Sequence, residues 1–198
     1  MAIVDSNYYF RYIDVRSFGN EGDSNILKAT KLGKQIYQQT LKLPQPEPLP
    51  NNSSGQPMPY VSVAYEAFAM CKIIVRPYPA KKLTWEHRVH NYRLSRARRY
   101  VECGFGILAN KWRILHRPID VSIDMADIII QVCCVLHNFI RHRDAYNFED
   151  TLSCPLESIP AIGTRDNIGV ETRNSFNNYF CSPAGSVPWQ NRSCNIVA

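Results

Sequence analysis

Residues 91–116, NYRLSRARRYVECGFGILANKWRILH, decide how the rest of this 198-residue chain is read. Leu94, Val101, Leu108 and Leu115 recur at heptad spacing, and Arg98, Phe105 and Trp112 form a neighbouring row, so the stretch is expected to be a long helix with one face in a core. Glu102 lies one residue off that stripe, with Ser95, Gly106 and Ala109 around it at helical spacing. Small neighbours leave room around the carboxylate. Gly104 and Gly106 each cost roughly 1 kcal/mol relative to alanine inside a helix, which implies that a strand or a phosphate approaches the backbone there. For Glu102 the plain reading is an ion pair with Arg98 or Arg99 on a solvated face.

Composition sets the frame around this helix. The length and a hydrophobic content of 45% suit one domain with a real core, and a net charge of +6 makes an acidic polymer a reasonable partner. That charge is concentrated: from Glu86 to Arg117 there are eight Lys or Arg against two acids. The longest apolar run, Ile128 to Leu136, is interrupted by Gln131 and reads as too short to span a bilayer, and Met1-Ala-Ile-Val-Asp does not read as a signal peptide. An intracellular protein is expected. Seven scattered cysteines without CxxC pairs fit reduced thiols, and Cys133, Cys134 and His137 on one helix make an unconvincing metal set without a fourth ligand.

Taken in order, Ala2–Val4 and Tyr8–Val15 read as a hairpin turning at Asp5-Ser6-Asn7, and residues 25–41 read as one helix. Residues 43–59 hold six prolines and form an extended surface loop. From Tyr60 a β-type run passes into Ala67–Val75, expected to be helical up to Arg76-Pro-Tyr-Pro. Ser122 is expected to cap a helix that is apolar nearly all round, in which His137 and Asn138 read as satisfied core polar groups. From Asp144 on the chain reads as a flexible tail with a short helix near Glu171–Tyr179.

Asn91-Tyr-Arg-Leu-Ser-Arg-Ala-Arg-Arg followed by Val101-Glu-Cys-Gly-Phe-Gly-Ile-Leu-Ala-Asn-Lys-Trp-Arg-Ile-Leu resembles the last catalytic helix of the PIF/Harbinger transposases and the nucleases domesticated from them. The resemblance extends to Ile13-Asp14-Val15 with Gly19 and Asp23, to Cys133-Cys-Val-Leu-His-Asn-Phe-Ile, and to Tyr179-Phe-Cys-Ser-Pro-Ala-Gly-Ser-Val-Pro-Trp-Gln. It implies an α/β chain with a partial ribonuclease H-like fold: a short mixed sheet packed with helices, over residues 1–143, followed by a tail over 144–198. In that family an Asp, Asp, Glu triad holds two divalent metal ions, Mg2+ or Mn2+, for hydrolysis of DNA. By resemblance Glu102 is the glutamate, and Tyr65 stands where the second aspartate belongs. The first aspartate belongs to an Asp-Gly-Thr-His type strand expected upstream of the hairpin.

Glu66 is expected to be no substitute for the second acid, since consecutive strand residues point to opposite faces. Impaired or lost hydrolysis is therefore the expectation. The alternative to a nuclease is an inactive DNA-binding module whose Arg93, Arg96, Arg98, Arg99, Lys111 and Arg113 contact phosphates, and a third reading is a decayed product that folds poorly. The resemblance also implies DNA as partner, a Myb-like DNA-binding companion, and a nuclear location.

Overall fold

The computed structural model describes residues 1–15, 22–144 and 166–194. Its described residues fall into two units, Met1–Glu21 with Arg98–Glu157, and Gly22–Ala97 with Ser158–Ala198. A helix of 27 residues, α3 (Trp85–Lys111), contributes to both. Mixed α/β character is as expected, but the strands form two separate two-stranded sheets instead of one mixed sheet.

The first unit begins with the expected hairpin, β1 (Ala2–Val4) and β2 (Phe10–Ile13), antiparallel with Ala2 opposite Ile13 and a bulge at Ile3/Val4. Its turn is closed by Asp5, whose Oδ1 accepts from the Asn7 and Tyr9 amides at 2.9 and 3.0 Å while Oδ2 meets Arg11. Burial opposes ionisation of that carboxyl, but the two amides and the guanidinium outweigh it and hold the carboxyl below its usual range. Gly104 answers the question its sequence position posed: a Cβ there would lie 3.2 Å from Cγ1 of Val4, so the close neighbour is a strand. Phe10, Leu108, Cys133 and Cys134 form the core, flanked by Ala2, Val4, Ile13, Trp112, Leu115 and Ile129.

Helix α4 (Ile123–Asp144) closes this core, and Ser122 caps it as expected, its Oγ accepting from the Met125 amide. His137 and Asn138 are satisfied core groups. The Asn138 carboxamide accepts from the Phe10 amide and donates to the Phe10 carbonyl, both at 2.9 Å, and His137 Nε2 lies 2.8 Å from the Tyr8 carbonyl. The helix is apolar nearly all round as expected, yet it is not covered all round: Ile128, Val132, Val135 and Phe139 are exposed. The expectation that no apolar stretch is long enough for a bilayer is corrected, since Ile123–Arg143 qualifies by length and composition. Buried Asp127 and His137 and the bonded Asn138 are features of a helix packed on its own hairpin.

In the second unit the helix expected over 25–41 is broken into α1 (Asp23–Ala29) and α2 (Lys31–Tyr37). Thr30 adopts an extended conformation at the break and caps α2 through the Gly33 amide at 2.9 Å. A Cβ on Gly33 would collide with the Leu27 carbonyl oxygen, so the bend depends on glycine. The proline-rich segment lies largely at the surface as expected, but it is not extended throughout: it turns back between Leu49 and Gly55, and Glu47 pairs antiparallel with Met58. The helix expected over 67–75 is absent: β3 (Ser62–Val63) pairs in parallel with β4 (Ile74–Val75) instead. Ile73, Ile74 and Val75 are β-branched, and Ile74 and Val75 are fully buried, which favours a strand over a helix.

Two further helices complete this unit, α5 (Asn167–Cys181) and α6 (Gln190–Ser193). The expected short helix near 171–179 is therefore longer, capped by Asp166 and anchored by buried Thr172, Arg173 and Asn177. Asn91 of α3 closes the backbone of Tyr78, accepting from its amide at 2.7 Å and donating to its carbonyl at 2.9 Å. The Tyr78 ring stacks on His87 at 3.8 Å, lies 3.9 Å from the Arg173 guanidinium, and its hydroxyl donates to Asn174. His90 is fully buried against the Tyr78 and Phe180 rings.

Two predictions concern stability. Replacing Asn138 or Asn91 by Leu strands a partly buried amide and carbonyl, so urea denaturation is expected to show a loss of roughly 2 kcal/mol for each; unchanged midpoints would remove the bidentate bonds from any stabilising role. Burial, then Arg173 and His87, push the His90 pKa from 6.5 down to about 3. Below pH 6.5 the unfolded chain therefore takes up a proton that the folded chain refuses. Stability should fall by up to about 1.4 kcal/mol per pH unit from pH 6.5 towards 3. His90→Leu should flatten that slope in denaturation curves taken across the range.

Candidate nucleic-acid and metal site

Glu102 sits in the part of α3 belonging to the first unit, half-buried, with its Oε2 fully buried. Arg98, one helical turn earlier, is half-buried as well, and its Nε is enclosed. Arg99, Lys111 and Arg113 are exposed. Arg113 lies beyond the end of α3, in the 3-10 turn Arg113–His116, so the long helix expected to run to 116 stops at Lys111. Arg99 and Lys111 are about 18 Å apart along the helix axis.

The two remaining cations of the expected patch belong to the second unit and differ from each other. Arg93 is half-buried: it donates to the Gly185 carbonyl at 3.0 Å and to Gln190 Oε1 at 3.4 Å, and lies 4.8 Å from the Phe180 ring. Burial lowers its pKa, yet an arginine stays charged. Arg96 is exposed, bonded to the Tyr92 hydroxyl at 3.2 Å and 5.6 Å from the Trp189 ring.

Tyr65 follows β3 by two residues and lies in the loop before β4, where its carbonyl accepts from the Phe68 amide. The strand alternation expected to turn Glu66 away does not apply, because β3 ends at Val63 and Glu66 is in a turn. Buried Arg76 fixes this loop, donating to the Glu66 and Phe68 carbonyls at 2.9 and 3.0 Å. Sequence reasoning missed Arg76 and Arg173 as interior cations, since an arginine beside a proline or inside a polar stretch carries no burial signal of its own.

The model of the DDE superfamily endonuclease family matches residues 1–138. The chain belongs to that family. No curated protein and no solved structure matches it. Chemistry of this class typically uses divalent metal ions, and a two-metal centre holds its ions about 4 Å apart through convergent oxygen ligands.

The described residues of this DDE endonuclease chain do not fit such a centre: no group of three or more His, Cys, Asp or Glu side chains among them could hold an ion. The phenol of Tyr65 is itself a poor ligand for magnesium, which prefers carboxylate and water oxygens. Cys133 and Cys134 do not supply the lack. Burial raises both thiols, Cys134 to about 11, and His137 is already engaged with Tyr8. What the surface of the described residues offers instead is exposed positive charge at Arg99, Lys111 and Arg113 in the first unit and Arg96 in the second.

The arginines of the patch should separate in the laboratory. Arg93→Ala, losing a half-buried hydrogen-bonding cation, is expected to lower thermal stability by roughly 1–3 kcal/mol. Arg99→Ala, on the surface, should leave the melting curve within about 0.5 kcal/mol of wild type. Equal losses would show that exposure does not divide them.

Proposed function

We propose that this DDE superfamily chain is a transposase-derived protein of PIF/Harbinger type, built on a partial ribonuclease H-like scaffold, that holds DNA without hydrolysing it. The observation that carries this reading is the lack of any metal-holding cluster among the described residues, and the resemblance that sets Tyr65 where the family's second acid is expected supports it. Glu102 is the acid that resembles the family's glutamate, and among the described residues no group of three or more ligating side chains gathers with it to position two ions, whether Mg2+ or Mn2+.

Phosphate binding falls to Arg99, Lys111 and Arg113 in the first unit, with Arg98 beside them, and to Arg96 in the second. These side chains neutralise backbone charge and read no bases, so the binding is insensitive to sequence. A Myb-like DNA-binding companion is the partner that would supply a target sequence, and the nucleus is the compartment in which both meet DNA.

Supercoiled plasmid incubated with magnesium or manganese should show no nicking above that of Glu102→Gln. Binding of a duplex oligonucleotide should weaken with salt, the slope of log affinity against log salt falling by about one for each of Arg99, Lys111 and Arg113 replaced. Metal-dependent nicking that disappears in Glu102→Gln would overturn the inactive reading, and salt-insensitive binding would overturn the phosphate reading.

A further inference from the structure

On the second unit's portion of α3, Trp85, Arg88, Tyr92 and Arg96 follow one another at spacings of three and four residues and so share one narrow face. Trp85, Arg88 and Arg96 are exposed, Trp85 to 47%. Trp189 is brought to the same place from the far end of the chain, 49% exposed and 5.6 Å from the Arg96 guanidinium, which is itself 5.9 Å from the Tyr92 ring. The Tyr92 hydroxyl is lowered from its ordinary pKa by Ser193 first, then by Arg96 and Trp189, which fixes α6 against this face; exposed Arg192 belongs to α6.

The platform is held from below. Gln190 is buried, donates from Nε2 to the Phe180 carbonyl at 3.1 Å, accepts from the Val187 amide at 3.2 Å, and meets Arg93. With Arg93 also on Gly185, the segment presenting Trp189 is tied to α3. Trp189, left half in water on a segment that Arg93 and Gln190 tie down, belongs to a built surface and not to a loose end, and exposed Trp85 continues the same face of α3.

We propose that Trp85, Tyr92 and Trp189, interleaved with Arg88, Arg96 and Arg192, form a stacking platform for unpaired nucleic acid. Flat rings accept the faces of successive bases, and guanidinium groups between them take the phosphates. A duplex hides its base faces, so the aromatics have nothing to gain from it; an unpaired strand offers both halves of the contact. Arg96 is the one residue shared with the phosphate patch of the proposed function, and the platform rests on that reading only for the class of ligand.

Anisotropy of a labelled thymidine oligomer of about 15 nucleotides, titrated with the full chain, tests this, with a duplex of equal length and heparin as comparison ligands. The oligomer should bind more tightly than the duplex. Trp189→Ala should weaken the oligomer about ten-fold while duplex and heparin affinities and the melting temperature stay unchanged, and Trp189→Phe should restore most of the loss. If Trp189→Ala lowers the melting temperature, Trp85→Ala takes its place as the reporting variant. An oligomer affinity indifferent to the ring, or heparin competing as well at equal charge, overturns the platform and leaves a plain polyanion surface. Loss of duplex binding alone would defeat the proposed phosphate patch and leave the platform standing.

Discussion

A helical asparagine that satisfies both backbone groups of an aromatic residue is the contact on which each unit depends. Asn138 does this for Phe10 in one unit and Asn91 for Tyr78 in the other. Two-stranded sheets as short as these leave edge amides and carbonyls unpaired, and buried backbone groups left that way cost more than a hydrogen bond returns. The carboxamide carries a donor and an acceptor side by side, so it replaces a missing strand at one residue. The aromatic side chain then locks the placement: Phe10 packs edge-on against Phe105 and His137, and Tyr78 stacks on His87.

The two long helices, α3 and α4, were legible in the sequence because they are written in local periodicity and caps. The 94, 101 and 108 stripe of α3, Ser122 before α4, and the Asp5 turn act over a few residues and are present, while Leu115 falls in the 3-10 turn beyond the helix. What was not legible depends on distant partners. Residues 67–75 have helical-looking composition, but Ile74 and Val75 become a strand because Ser62 and Val63 are there to pair with them. The break at Thr30 is equally hidden, since it rests on Gly33 meeting the Leu27 carbonyl. For the candidate site the residue types were legible and their environments were not: nothing in the string separates a half-buried Arg93 from an exposed Arg99.

That separation changes how the chain's basic character is read. A net charge of +6 suggests a surface ready for phosphate, yet several arginines are used inside. Arg76 holds the loop after Tyr65, Arg173 lies on Tyr78, and Arg93 ties down the segment before α6. A guanidinium suits this work because its planar fork donates in several directions and its face packs on a ring, while its charge is retained. The exposed positive charge is correspondingly less than composition implies. It is carried by side chains whose exposure, not whose identity, qualifies them.

Family membership and chemistry rest on different residues in this chain. The Cys133 to Ile140 stretch, one of the places where its spelling follows the DDE endonucleases, owes its role to packing: two thiols in the core, a histidine on the Tyr8 carbonyl, an asparagine on Phe10. Replacing any of them damages the fold, whatever the protein does. A metal-binding carboxylate contributes nothing comparable to stability, because convergent acids repel one another until an ion is bound. A catalytic aspartate can therefore be exchanged for another residue while the elements of the fold stay in place. The likeness is strongest where architecture demands it, and for that reason a match over residues 1–138 carries the fold's ancestry further than it carries the reaction.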